Sequence, residues 1–185
     1  MNNSNILLEK IIELKKQHMS LSFEHWISYE LLRWQWWLSI VLLVVPLFVW
    51  WKLVDKKRIL EIAVYGLIVN TAASFLDVIG YEFALWEYPI KVLPNLPKLF
   101  PVDFIIIPVS YMLIYQYFPD WKYFIISNTI LSAFFSFIAE PLLTVVDIYR
   151  LIHWSYLYSF PIYIIISVLC RLIAEKIAKK QLKLS

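Results

Sequence analysis

Three carboxylates lie in or at the edge of segments that otherwise exclude charge: Asp77, Asp103 and Glu140. Glu140 stands out because the segment "FIAEP" (residues 137–141) closes a long apolar run with an acid and a proline. A charged side chain in hydrocarbon is costly unless it faces a bundle interior or a wet cavity, so such acids indicate functional sites. Carboxylates in that setting could hold a cation or the cationic head of an amphiphile, or could act in pairs as general acid and base.

Helical rise predicts that the three acids share one depth. At about 1.5 Å per residue, Glu140 lies roughly 26 Å along its segment from Tyr123, and Asp77 lies roughly 28 Å along its own segment from Arg58. Asp103 lies in the first turn of a segment that runs in the opposite direction. We therefore expect the three carboxylates to face one cavity, with Glu140 the most deeply buried.

Polar residues recur at every fourth position in three apolar segments and so mark one face of each predicted helix. Polar faces of membrane helices turn away from lipid, where they hydrogen-bond to neighbouring helices. Helix packing alone is the competing explanation for the serines and asparagines, and helix capping is the competing explanation for the acids. The three stripes are Asn70, Ser74, Asp77 and Tyr81; Asn128, Ser132, Ser136 and Glu140; and Ser155, Ser159, Tyr163, Ser167 and Arg171.

The candidate binding residues are the three acids and a few polar residues near them. Asn70, Ser136 and Tyr163 lie on the stripes, and Arg150 and His153 lie in the short loop "DIYRLIHW" after Glu140's segment. The two loop residues are candidate partners of the acids, because clustered carboxylates raise one another's pKa unless a cation intervenes. The chain has a single cysteine and no CxxC or His/Cys cluster, so we predict no metal site and no cofactor.

The composition indicates that these residues are positioned by membrane helices. Of 185 residues, 61% are hydrophobic, more than a soluble domain of this length can bury. The predicted fold class is therefore all-α: a polytopic bundle of five transmembrane helices with an amphipathic N-terminal arm. The five predicted spans are 36–54, 59–81, 101–118, 123–146 and 155–172.

The distribution of basic residues predicts the orientation. One basic cluster lies at and after the end of the first span, and a second lies at and after the end of the last: Lys52, Lys56, Lys57 and Arg58, and Arg171, Lys176, Lys179, Lys180 and Lys183. Short basic loops stay in the cytoplasm, so we expect an external N-terminus and a cytoplasmic C-terminus. The predicted organisation is a surface arm over residues 1–33, a five-span domain over 34–173 and a basic cytoplasmic tail over 174–185.

Two further segments complete the predicted architecture. Apolar residues at helical spacing within the charged residues 1–33 predict two amphipathic helices, lying on the outer membrane surface or against a partner. Residues 83–101 contain four prolines and are too apolar for a well-solvated loop, so we expect a lid in the outer interface.

Three segments resemble those of a family of small five-span membrane proteins of spore-forming Firmicutes: "WEYPIKVLPNLPKLFPVDFIIIPVSYMLIYQYF", "SAFFSFIAEP" and "WSYLYSFPIY". The resemblance covers the chain from about residue 36 onward and implies a bacterial plasma membrane, without implying an activity. The matching positions are Trp86, Pro89, Pro101, Asp103, Pro108, Glu140, Pro141 and Tyr163.

Three classes of function are compatible with these features. The first is a non-enzymatic protein that binds or transports a cation, a proton or a cationic amphiphile in an outer-facing, lidded acidic cavity. The second is a membrane-embedded enzyme that modifies a lipid or isoprenoid with paired carboxylates. The third is a structural subunit that contacts a homo-oligomer or another membrane protein through its arm. Membrane lipids are the expected partners in all three classes, and nucleic acid is expected in none. The small number of glycines favours the first and third classes over an alternating-access carrier, and we expect a binding or transport protein more than an enzyme.

Overall fold

The computed structural model describes residues 3–94 and 101–182, and the protein is 81% helical and nearly all-α. Within this part of the chain the helices are α1 (Asn3–His25), α2 (Trp34–Leu53), α3 (Ile59–Glu82), α4 (Val102–Tyr117), α5 (Trp121–Val145) and α6 (Tyr156–Leu182). A two-stranded antiparallel sheet joins β1 (Trp86–Glu87) to β2 (Arg150–Leu151).

Four of these helices are long and apolar enough to cross a membrane: α2, α3, α5 and, over Tyr156–Lys180, α6. The prediction of a nearly all-α protein with helices that could cross a membrane is confirmed at that level, whereas the number of five spans is not. The predicted third span corresponds to α4, which is apolar but shorter than the other four. Residues 95–100, which belong to the predicted lid, and residues 1–2 and 183–185 lie outside the described residues.

The short helix α4 is the most enclosed element of the bundle. Its side chains Ile107, Val109, Tyr111, Met112 and Tyr115 are all buried, and they form the main apolar core with residues of α3, α5 and α6. By contrast, α2 buries only a serine and presents most of its apolar side chains outward. A helix surrounded by other helices does not need to match the full thickness of a bilayer, which accounts for the shortness of α4.

Both α4 and α5 contain a π-helical turn just before a proline. The turns are Val102–Ile106, ahead of Pro108, and Phe135–Ala139, ahead of Pro141. A proline inside a helix has no N–H to donate, and its ring clashes with the carbonyl four residues earlier. A wider turn relieves this clash, and π-turns are frequent at functional sites. One predicted site acid lies in the first of these turns and another directly follows the second.

The N-terminal arm forms one helix instead of the two that we predicted. Helix α1 continues from Asn3 to His25 and ends in a π-helical turn, Trp26–Glu30. No glycine or proline interrupts this stretch, so the chain has no residue that would end the first helix early. No side chain of α1 is buried. At the other terminus α6 runs to Leu182, so no break in the helix separates the predicted tail from the last span.

Candidate functional site

A cavity of ≈ 300 Å³ lies between residues of α3, α4, α5 and α6, beneath the segment that contains β1. Three carboxylates line it: Asp77, Asp103 and Glu140. The three are buried to the same degree, with exposures of 7%, 8% and 7%, so Glu140 is not buried more deeply than the others. Apart from Ser159 and Gly80, the rest of the wall is aromatic or aliphatic and includes Ala73, Leu76, Ile79, Trp86, Tyr88, Leu143, Tyr149, Trp154, Ile162, Tyr163 and Ile166.

Both oxygens of Glu140 accept hydrogen bonds from α6. The Tyr163 hydroxyl donates to Oε1 over 2.9 Å, and the Ser159 hydroxyl donates to Oε2 over 3.0 Å. Trp154 supports this arrangement, because its Nε1 donates to Ser159 Oγ over 3.0 Å. Since Ser159 and Tyr163 are four residues apart, one face of α6 fixes the orientation of the carboxylate.

The side chain of Asp77 joins α3 to the lid. Its Oδ1 accepts a hydrogen bond of 3.0 Å from Trp86 Nε1 and a second one from the Tyr88 hydroxyl. Trp86 lies close against α3 because position 80 is a glycine: a Cβ there would meet the indole ring at 2.0 Å. A residue larger than glycine at position 80 would therefore move the indole away from Asp77.

Burial and the clustered negative charge raise the pKa of two tyrosines outside the helices. The pKa of Tyr88 is raised well above its usual value, first by burial and then by the charges of Asp103 and Asp77. Burial also raises the pKa of Tyr149, with further contributions from Glu140, Asp77 and Asp103. A single side chain, Tyr149, is therefore within the electrostatic influence of all three acids.

The lid is fixed to the bundle on its cavity side by strand pairing and by ring contacts. Trp86 pairs with Leu151, so β1 and β2 hold the beginning of the lid against the loop that follows α5. The Tyr88 ring stacks on Tyr149, with the ring centroids 5.7 Å apart, and on Tyr81, with the centroids 6.4 Å apart. These contacts place an aromatic layer directly above the carboxylates.

The outer side of the lid is held by the N-terminal arm. Glu30 is 2% exposed, and its Oε2 accepts a hydrogen bond of 2.6 Å from the backbone N–H of Lys91. Trp26 Nε1 donates to the Lys91 carbonyl over 3.0 Å, and Trp36 Nε1 donates to the Val92 carbonyl over 3.1 Å. Three side chains from the arm and from the start of α2 therefore satisfy backbone groups of a segment that has no regular structure.

The structure brings together some of the sequence-predicted residues and separates others. Asp77, Asp103, Glu140 and Tyr163 line the cavity, whereas Asn70, Ser136, Arg150 and His153 do not. Asn70 accepts a hydrogen bond from Ser74 at 3.2 Å, one turn below the cavity. The side chain of Ser136 is completely buried in the π-turn of α5.

The two predicted basic partners lie outside the cavity. Arg150 is exposed and forms an ion pair of 3.0 Å with Asp147, in a surface groove that also includes Glu30 and Lys91. His153 is exposed, and its backbone N–H donates to the carbonyl of Leu85. Neither side chain lines the cavity with the acids, because β1–β2 pairing holds this loop beside the lid.

The sequence did not predict the contributions of the lid and of the segments that contact it. Tyr88, Tyr149 and Glu30 carry no periodic signal, since two lie in loops and the third ends a helix rich in solvated charges. Ser159 lies on one of the predicted polar stripes, beyond the candidate binding residues, and it contacts Glu140. Among the described residues, no group of three or more His, Cys, Asp or Glu side chains is arranged to hold a metal ion.

The fold and the site define a nearly all-α protein whose long apolar helices surround a lidded acidic cavity. Comparison of the chain with protein-family models, with curated proteins and with solved structures found no match.

Proposed function

We propose that the cavity binds the cationic head of an amphiphilic small molecule while the apolar part of that molecule extends toward the lipid. The observation that carries this proposal is the charge of the cavity wall. Three carboxylates line it, whereas none of the described residues that line it is Lys, Arg or His. A bound cation would be stabilised by these carboxylates in a wall that is otherwise mostly apolar.

The aromatic residues favour an organic cation over a small inorganic ion. Trp86, Tyr88, Tyr149 and Trp154 surround the acids with ring faces and edges. Aromatic faces attract alkylammonium groups through their quadrupole, and this attraction is stronger when the cation is removed from water. Small divalent ions prefer several oxygen ligands, whereas the cavity wall is mostly apolar.

The outward-facing surface of α3 supports entry of the amphiphile from the surrounding lipid. Leu76 and Ile79 line the cavity and yet are 40% and 36% exposed, so the wall at this position is also the surface of the bundle. In a bilayer such an apolar surface contacts lipid. A head group could occupy the cavity while its hydrocarbon chain lies along Leu76 and Ile79 in the membrane.

The proposal includes the membrane arrangement expected from the sequence. In it α4 completes a five-span bundle, the arm and lid lie outside a bacterial plasma membrane, and the C-terminal end of α6 is cytoplasmic. The buried position of α4 supports a fifth span. Labelling of Lys56→Cys with a membrane-impermeant maleimide tests the orientation: labelling is expected only after the cells are opened, and labelling of intact cells would reverse the topology.

Calorimetric titration tests the binding. The protein in nanodiscs of zwitterionic lipid is titrated with dodecyltrimethylammonium, with empty nanodiscs as the blank. We expect saturable binding that Glu140→Gln weakens about tenfold or more, because a charge-assisted contact contributes about 1.5–3 kcal/mol. Asp147→Asn is the matched control, since Asp147 is an exposed acid of the outer loop.

Three outcomes of this titration count against the proposal. They are the absence of saturable binding, equal binding of the anionic analogue dodecyl sulfate, and equal affinity of Glu140→Gln and the unmodified protein. Size-exclusion chromatography of each variant establishes that a loss of binding is not a loss of fold.

A further inference from the structure

Buried hydroxyl groups continue from the cavity through the interior of the bundle. They belong to four different helices, and most of them are completely inaccessible to solvent. We call this set the hydroxyl column: the part-buried Tyr163 and the buried Tyr111, Ser132, Ser167, Tyr65 and Tyr115.

The first part of the hydroxyl column begins at the cavity. Tyr163 donates to Glu140 at 2.9 Å. Tyr111 on α4 lies below it, where its hydroxyl is 3.3 Å from Ser132 Oγ on α5 and 3.3 Å from the backbone carbonyl of Tyr163. Three helices therefore contribute polar oxygens to one layer of an otherwise apolar core.

The second part reaches the opposite end of α3. The hydroxyl of Tyr65 lies 2.8 Å from Ser167 Oγ, and the Tyr65 ring stacks on Tyr115 with the ring centroids 4.4 Å apart. The Tyr115 hydroxyl donates to Glu61 Oε1 over 2.6 Å, and Glu61 forms an ion pair of 3.0 Å with Arg58. Glu61 is part-exposed, so this end of the column is open to water.

The two parts are one helical turn apart. Tyr111 and Tyr115 are four residues apart on α4, and Tyr163 and Ser167 are four residues apart on α6. Such a separation corresponds to about 6 Å along a helix, which one bridging water spans. Bridging waters would complete the hydrogen-bonded chain at three steps: from Tyr163 to Tyr111, from Ser132 to Ser167 and from Tyr65 to Tyr115.

Two buried polar atoms on α5 can accept hydrogen bonds for which the described residues offer no donor. Asn128 Oδ1 and Ser136 Oγ have no hydrogen-bond partner among these residues, and both side chains are completely buried. They belong to the same four-residue stripe as Ser132. Buried polar groups are nearly always hydrogen-bonded in proteins, and internal water is the usual partner where protein groups are absent.

We propose that the hydroxyl column conducts protons between Glu140 at the cavity and Glu61 at the opposite end of the bundle. Water in the cavity gives a proton to Glu140. Each hydroxyl or bridging water then donates its proton to the next oxygen as it receives one from the previous, so that each O–H bond broken is replaced. Glu61 releases a proton to water at the far end, and no group in the column is changed.

The charges around the exit are compatible with this path. Arg58 pairs with Glu61, and Arg171 lies 5.6 Å from the centre of the Tyr115 ring. Glu175 neutralises Arg171 through a hydrogen bond of 2.8 Å. Tyr65 and Tyr111, which lie in the middle of the column, are both completely buried.

A flux assay tests the path. The protein is reconstituted into liposomes that contain potassium and a trapped pH-sensitive dye, and valinomycin then sets an inward driving force for protons. Acidification is expected to be faster than in empty liposomes. Tyr111→Phe removes one hydroxyl while keeping the ring, and we expect it to slow acidification about tenfold, equivalent to a barrier increase of about 1.4 kcal/mol.

Tyr158→Phe is the matched control, because Tyr158 lies on α6 but is exposed and outside the column. It should leave the flux unchanged, whereas Tyr65→Phe should slow it as Tyr111→Phe does. The proposal is overturned if the protein conducts no faster than empty liposomes, or if folded Tyr111→Phe and Tyr65→Phe conduct at the normal rate. The assay contains no amphiphile, and Tyr111→Phe should still bind dodecyltrimethylammonium, so failure of this proposal is distinguishable from failure of the binding proposal.

Discussion

Trp86 Nε1 donates a hydrogen bond of 3.0 Å to Asp77 Oδ1 and thereby connects the lid to one of the three acids of the cavity. The indole occupies space that glycine leaves open at position 80. Lid position and acid orientation are therefore coupled: a ligand that displaces Trp86 also changes the hydrogen bonding of Asp77. The lid is therefore part of the site, because one of its side chains bonds directly to a cavity carboxylate.

Gly80→Ala is expected to separate Trp86 from Asp77. The added Cβ would meet rigid ring atoms at 2.0 Å, and overpacking of this kind typically costs about 1–3 kcal/mol. Hydrogen exchange followed by mass spectrometry should show faster exchange over residues 86–94.

Gly66→Ala is the matched control for this substitution. It lies on the same helix, but its Cβ would meet the side chain of Met112, whose thioether can change rotamer. This variant should leave exchange of the lid unchanged. Equal exchange of residues 86–94 in Gly80→Ala and the unmodified protein would show that the indole can move without loosening the lid.

The sequence predicted the parts of the site that follow helical periodicity. Asp77 and Glu140 lie on four-residue polar stripes, and both face the cavity, as does Asp103 at the start of α4. Four-residue spacing drifts around an ideal helix of about 3.6 residues per turn. In α5 the wider π-turn before Pro141 offsets this drift and keeps Glu140 on the inner face.

The contacts of the lid could not be predicted, because they depend on the path of a segment without periodicity. Glu30 illustrates the difficulty. In the sequence it is one of several acids in a charged arm, whereas in the structure it is nearly inaccessible and bonded to the lid backbone. For Arg150 the opposite holds. Its position in the sequence predicts a partner for the acids, whereas in the structure strand pairing places its side chain at the surface.

Glu30→Ala is expected to weaken the attachment of the lid to the arm. The substitution leaves the Lys91 N–H without its acceptor, and an unsatisfied buried backbone group costs about 1–3 kcal/mol. The thermal midpoint in detergent should fall, and exchange of the amides of residues 88–94 should accelerate. Glu24→Ala removes an exposed acid of α1 and should change neither measurement. If both variants behaved alike, the arm would not stabilise the lid.

The stability of the lid is expected to decline at high pH because of Tyr88. Burial raises the pKa of Tyr88 above that of an unfolded tyrosine, about 10. Between the two pKa values the unfolded chain loses a proton that the folded protein retains, so stability is complete below pH of about 10 and is lost as pH rises toward the folded-state pKa.

Thermal midpoints measured in detergent from pH 8 to 11 test this contribution. The unmodified protein should lose more stability at the alkaline end than Tyr88→Phe, which lacks the titrating hydroxyl. The comparison removes the effect of lysines, since both proteins contain the same ones. Parallel curves for the two proteins would mean that Tyr88 does not titrate in this range or that its ionisation does not affect the lid.

Arg171→Lys is expected to destabilise the end of the bundle opposite the cavity. Arg171 is 3% exposed, and its guanidinium donates to Glu175, to the Phe118 carbonyl over 3.2 Å and to the Pro119 carbonyl. It also lies 4.4 Å from the centre of the Trp121 ring. The planar fork of arginine serves all these contacts at once, whereas the single ammonium of lysine cannot reach both carbonyls and stack on the ring.

The loss of these contacts should cost about 1–3 kcal/mol, because the two carbonyls then lack a buried donor. The thermal midpoint in detergent measures the effect. Arg150→Lys is the matched control: its ion pair with Asp147 is exposed on both sides, and pairs of that kind contribute about 1 kcal/mol or less. A midpoint for Arg171→Lys as high as that of Arg150→Lys would show that charge alone is required at position 171. The loop between α4 and α5 would then be held by its apolar contacts, with Trp121 and Phe124 packing around either cation.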